Sequence, residues 1–316
     1  MRLHLGVLAR LLSCSLLAVL LSNAGCNSLS KLGKGRGGPS AETAALSHKL
    51  GFYVECLNSV DRGLHSAYHD YTTRVDRAKG PQAGHEPSLF VRDEIAPCYA
   101  QLQQGIAAQP ALAELDTAAQ NYLAALQKLA PVLKEAIEYY RQEDYKDDQL
   151  AKGKQLHAPL LAAFDEFDKA SDQFHAALDA EDVRFKEREL SEIEQKQGRN
   201  LSYLHRVVML RAKQLVKLGE AEPIDPAKYQ PALDAYTQAV EEASAYFNAH
   251  RAELGDRVSC WQVVERAARD FLKEAKEKLR NLRENKKPQP SLISDVRFVE
   301  QYNDLIMMAN NCSQML

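Results

Sequence analysis

The chain has 316 residues, 26% of them charged and 7% aromatic, enough for one large or two ordinary domains. Ala, Leu, Glu, Gln and Lys abound and alternating Val/Ile/Thr runs are missing, which favours helix over sheet. The net charge of −3 is mixed along the sequence and no basic face stands out, which argues against nucleic acid as a partner.

Residues 1–25 read as a targeting segment. Arg2 and Arg10 form its positive region, and Leu11 to Leu21 its apolar stretch, too short for a mature membrane span. Losing those two cations takes the net charge from −3 to −5. Two cleavage readings compete. In the first, Ala24-Gly25-Cys26 ends a lipoprotein signal and Cys26 becomes the lipid-bearing (palmitate-type) N-terminus, although Asn23 stands where such signals usually carry Leu. In the second, Ser22-Asn23-Ala24 is an ordinary small-x-small site and the product is soluble. The first is preferred, because Cys26 is followed by a tether to Ala41 rich in Ser, Gly and Lys.

Cys14 leaves with the signal and Cys26 takes the lipid, so Cys56, Cys98, Cys260 and Cys312 remain. An even count in an exported chain implies two disulfides, and three pairings are open. Cys56–Cys98 and Cys260–Cys312 are preferred, since each joins neighbouring helices. No C-x-x-C spacing supports a thiolate metal site.

Taken in order, the elements are helices. Ser40 caps the first, expected to run to about Ala78 with Leu50, Tyr53, Leu57, Val60, Leu64, Ala67, Tyr71 and Val75 as its seam. Lys79-Gly80-Pro81 stops it. A second covers about Leu89 to Ala108, with Pro97 either kinking it or marking its true start. After Gln109-Pro110 a third keeps a three-four step from Leu112 to Tyr140, with a bend expected at Pro131. Gly153 then reads as a breaker and Pro159 as the first turn of a long helix. Apolar steps through Phe164, Phe167, Ser171, Phe174, Leu178, Glu181 and Phe185, resuming from Leu190 to Leu218, predict that this helix is uninterrupted. Asp225-Pro226 opens the next, with a seam from Leu233 through His250 to Leu254 and Gly255 as its stop. Another turns Trp261, Val264 and Phe271 inward and ends in the basic run Arg280 to Lys287, read as a solvated end. The last, from about Ser291, turns Ile293, Val296, Val299, Ile306 and Ala309 inward. The expected fold is all-α: elongated antiparallel bundles, about 42–185 and 186–316, sharing one long central helix.

The most pointed local pattern is Asp61, His65 and His69, whose spacing of four can offer a carboxylate and two imidazoles to a transition metal. Each lies one residue past a seam position, so a polar edge of a bundle helix is the plainer reading. His250, on an apolar seam, reads as a hydrogen-bonded core residue, and His157 as a cap or backbone partner in a joint. His48 and His85 carry no partner pattern. The stretch Glu138 to Asp148 is acidic and aromatic; it reads as a solvated helix end or as a recognition surface with Tyr139 and Tyr145 as exposed anchors. It lacks the spacing and glycine of a calcium loop. There is no G-x-S-x-G, no H-E-x-x-H and no Rossmann glycine set, which lowers the expectation of an enzyme.

Tyr53-Val54-Glu55-Cys56-Leu57-Asn58-Ser59-Val60-Asp61-Arg62, Val75-Asp76 and Gly80-Pro81 resemble the opening helix of the YiiG-like family of bacterial lipoproteins. Glu114-Leu115-Asp116, Tyr139-Tyr140, Asp144 to Asp148, Gly153-Lys154 and His157 are similar to it again, so most of residues 45–175 is covered. The resemblance implies export, lipidation and a helical domain of unknown function, and it brings no catalytic residues. The functional expectation is therefore a binding or scaffolding protein of the bacterial envelope, lipid-anchored at Cys26 and facing the periplasm, with the membrane and an envelope protein as partners. A soluble periplasmic product is the alternative location. Metal handling through Asp61, His65 and His69 is the second functional reading, and a hydrolase with a dispersed site the third.

Overall fold

The computed structural model describes residues 39–91, 95–221, 223–284 and 292–312; the targeting segment, Cys26 and nearly all of the tether lie outside them. The fold is all-α. The helices are α1 (Ala41–Arg74), α2 (Ala96–Ala107), α3 (Ala113–Arg141), the single turn α4 (Tyr145–Asp148), α5 (Ala151–Gln197), α6 (Leu201–Glu220), α7 (Pro226–His250), α8 (Arg257–Arg283) and α9 (Leu292–Cys312). Among the described residues none of them is long and apolar enough to cross a membrane. The chain divides into two compact units that meet in sequence at Phe185 and Lys186, within α5.

In the first unit, Ser40 caps α1 by accepting the Thr43 N–H at 3.1 Å. The whole seam from Leu50 to Val75 is buried. The helix stops at Arg74, four residues before the expected end. Val75 is extended, and the Asp76 carboxylate accepts the N–H groups of Ala78 and Lys79, offering the backbone an alternative to another helical turn. Pro97 marks the true start of α2, whose first turn needs no N–H there. Two expected boundaries are corrected. Gly153 and Pro159 both lie inside α5, and Gly153 is there for space: a Cβ would sit 2.9 Å from Tyr140 Oη and 3.1 Å from Tyr139 Cε1. The Phe stripe of α5 is the centre of the core. Phe174 packs edge-on to Tyr53 of α1 at 5.5 Å and lies 5.2 Å from Tyr122 of α3, while Phe164 stacks on Tyr68. Cys56–Cys98 bonds α1 to α2.

A buried ion pair fixes the other end of α1. Lys49 is fully buried; its Nζ donates to the Ala108 carbonyl at 2.8 Å and to Asp116 at 2.9 Å. Asp116 also accepts Tyr53 Oη at 2.6 Å and the Leu112 N–H at 2.8 Å, so the Lys49–Asp116 pair gathers α1, the end of α2 and the start of α3.

The expected single helix through Leu218 breaks at Gly198. That residue has φ +71°, and Asn200 restarts the chain as α6 by accepting the Tyr203 N–H at 3.0 Å. In the second unit α6, α7, α8 and α9 pack around Tyr229, Tyr236, Trp261, Phe271 and Tyr302. Asp225 and Pro226 open α7 as expected. The face of α9 holds Ile306 and Ala309 inward as expected, joined by Phe298, Tyr302 and Leu305, whereas Val296 is 46% exposed and the side chain of Ile293 lies outside those described. The rings decide it, since Phe298 lies 5.2 Å from Phe271 and Tyr302 5.5 Å from the same ring. Cys260–Cys312 bonds α8 to α9.

Candidate functional site

The densest group of chemically capable side chains lies in the first unit, around Asp61. Helical steps of four place Asp61 and His65 on one face of α1, and Ser171 and His175 on one face of α5. Tyr122 reaches the same point from α3. Asp61 is 1% exposed. Its Oδ1 accepts Ser171 Oγ at 2.7 Å and Tyr122 Oη at 2.9 Å; its Oδ2 faces His175 Nε2 at 3.0 Å and His65 Nε2 at 3.5 Å. Burial alone would raise this carboxyl, but the His175 hydrogen bond, the two imidazoles and the Ser171 hydroxyl outweigh it and hold it down to about 2.

Ser171, His65 and Asp168 follow one another in the order of a hydrolytic triad, with His65 Nε2 3.2 Å from Ser171 Oγ and His65 Nδ1 3.5 Å from Asp168 Oδ1. The chemistry does not follow. Ser171 is fully buried, and its proton is directed to the Asp61 carboxylate, a stronger acceptor at shorter range than His65. An activated serine must present Oγ to a substrate with its proton moving to the base; here the base meets a hydroxyl whose proton points elsewhere.

Of the three residues read as a metal set, Asp61 and His65 meet; the second imidazole on Asp61 comes from His175 of α5, while the His69 carbonyl accepts the Thr73 hydroxyl at 2.7 Å. Among the described residues no group of three His, Cys, Asp or Glu side chains is disposed to hold a metal ion. The Asp61 oxygens are taken up by hydroxyl and imidazole donors instead.

The acidic-aromatic stretch is also placed differently from its surface reading. Tyr139 is buried, with its Oη donating to Asp148 at 2.8 Å, and Tyr145 is half-buried. Asp148 in turn accepts the Lys152 N–H at 2.9 Å, and that bond holds its carboxyl below the usual range at the start of α5. His157 is the joint residue expected. Its Nε2 lies 3.1 Å from the Arg77 carbonyl, which can only accept, so Tyr71 Oη donates to Nδ1 at 2.9 Å. His250 is half-buried on α7, stacked on Tyr246 with Nδ1 at its carbonyl.

Among the polar residues that sequence reading missed, Lys49 and His205 are buried, and Asp116 and His175 are half-buried. His205 lies on α6, and burial, with Arg206 beside it, pushes its imidazole down to about 4. The available signal was a polar residue at or beside a seam position, as with Lys49 next to Leu50 and His175 next to Phe174.

No solved structure matches the chain. It is 29% identical over 189 residues to the uncharacterized protein YiiG of Escherichia coli (strain K12), a match that covers 58% of this chain and 54% of the relative, so the chain matches about half the relative's length. A family model described as protein of unknown function (DUF3829) matches residues 44–311, and the chain belongs to that family.

Proposed function

We propose that this is an exported helical protein of the bacterial envelope, anchored by a lipid on Cys26 and facing the periplasm, that works by binding or scaffolding rather than by a reaction. The observation that carries the reading is that the four cysteines left after Cys14 and Cys26 close into two disulfides, one in each unit. Such bonds persist in oxidising compartments and are reduced in the cytosol. The sequence of residues 1–26 supplies the export and acylation signal. The polar groups around Asp61 support a non-catalytic role, because each is directed to another member of the cluster.

The test is alkylation of thiols in intact cells, followed by crosslinking and identification of the captured proteins. The reading expects Cys56, Cys98, Cys260 and Cys312 protected from alkylation and crosslinks to envelope proteins. Free thiols at these positions, or crosslinks confined to cytosolic proteins, contradict it.

A further inference from the structure

The even mixing of charge along the sequence conceals a segregated face on α8. Arg266, Arg269, Lys273, Lys276, Arg280 and Arg283 step by three and four and are all exposed, forming one stripe about 25 Å long at 1.5 Å per residue. The opposite face of the helix is the core seam of Trp261, Val264, Ala268, Phe271, Ala275 and Leu279, so the stripe's direction is fixed by packing. Three of its cations are engaged: Arg269 with Glu265 and Ser244, Arg280 with Glu277, and Arg283 with Gln230. Arg266, Lys273 and Lys276 have no acidic partner among the described residues, and the acids on or beside the stripe are Glu265, Asp270, Glu277 and Glu284.

We infer that this stripe docks on an anionic phospholipid surface. The inference rests on the envelope reading above, which puts a membrane within reach of the domain, and on charge complementarity. In a chain of net charge −3, a row of six cations, three of them without an acidic partner among the described residues, faces outward from a rigid helix, at a spacing suited to a row of headgroup phosphates. A flat, charged, non-inserting contact fits the stripe, since its exposed side chains are cationic rather than apolar. The contact is electrostatic, so it weakens with salt.

The experiment uses the processed chain carrying Cys26→Ser, so that acylation contributes nothing. It is floated with vesicles of phosphatidylglycerol and phosphatidylcholine, and with phosphatidylcholine alone. Binding is expected to the anionic vesicles only, falling about tenfold between 0.05 and 0.3 M salt. The triple variant Arg266→Glu, Lys273→Glu, Lys276→Glu should weaken it by roughly 100-fold or more, from the loss of three cations near the surface. These residues have no acidic partner to lose, and circular dichroism of the variant checks that it folds. A control with Arg62→Glu, Arg74→Glu and Lys134→Glu, exposed positions of the first unit, should bind as the parent does. Absence of binding, equal binding to both vesicle types, equal loss in the control, or preference for nucleic acid or an acidic protein over the vesicles overturns the inference. Each of those outcomes leaves acylation at Cys26 open to its own test by mass, so the two readings fail separately.

Discussion

Ser171 donates its hydroxyl proton to Asp61 across 2.7 Å, joining α5 to α1 at a point where neither residue meets solvent. With Tyr122 and His175 on the same carboxylate, three helices converge on one buried charge. Breaking one member of such a group leaves the others unsatisfied. Asp61→Ala should therefore destabilise the first unit by about 3–5 kcal/mol and Ser171→Ala by about 1–3 kcal/mol in urea unfolding. Ser171→Ala with unchanged stability would show that the bond is not formed.

The same carboxylate sets an acid limit. Its folded value of about 2 lies below its ordinary 3.8. The folded state thus favours the ionised form, and the contribution is complete above about pH 4 and lost as the pH falls to 2. That difference corresponds to about 2 kcal/mol. Urea midpoints across this window should fall in the parent and fall less in Asp61→Asn. Parallel curves would contradict the assignment.

His205 works over a different range. Its folded value of about 4 lies below the ordinary 6.5, so the unfolded chain binds the proton first. Stability is complete above pH 6.5 and decreases by about 3 kcal/mol as the pH falls to 4. The chain's single Trp, Trp261, is fully buried in the second unit, and its fluorescence reads that unit. His205→Leu should flatten the fluorescence-detected dependence between pH 6.5 and 4; an unchanged slope would exclude His205 as its source.

Two helical glycines should respond oppositely to alanine. Gly51 has open space where a Cβ would go, so Gly51→Ala should stabilise by about 0.5–1 kcal/mol through helix propensity. At Gly105 a Cβ would lie 2.5 Å from the Tyr53 ring, held by its bond to Asp116, so Gly105→Ala should destabilise by about 1–3 kcal/mol. Thermal melts of the two variants check both signs.

The buried pair Lys49–Asp116 gives a third kind of test. Lys49→Met leaves Asp116 without its counter-charge and should cost about 3–5 kcal/mol, whereas Lys49→Met with Asp116→Leu removes both charges and should recover part of it. A double-mutant cycle in urea measures the coupling.

The helices and their buried faces were legible because a three-four apolar step leaves few alternatives: the α1 seam, the Phe stripe of α5 and the α7 seam through Phe247 are all buried as read. The break at Gly198 was written in the sequence as a Gly followed by the capping residue Asn200, but the apolar steps on either side resume closely enough to mask it. The face of α9 departs from the expected one only at its start, where the larger rings of Phe298 and Tyr302, and not Val296, take the inward positions. The polar interior was not legible. Asp116 lies 67 residues from Lys49, and His175 lies 114 from Asp61, so only the packing of helices reveals that they meet. Asp61 and His65 were found because a single helix face shows them together, whereas His175 reaches Asp61 from another helix.

The central claim, that this is an exported domain held at a membrane through Cys26, is tested most directly by the mass of the N-terminal peptide of the protein isolated from its native cells. The account predicts a chain beginning at Cys26 and carrying covalent lipid. A chain beginning at Gly25, or one retaining Met1 and the residues after it, would contradict it.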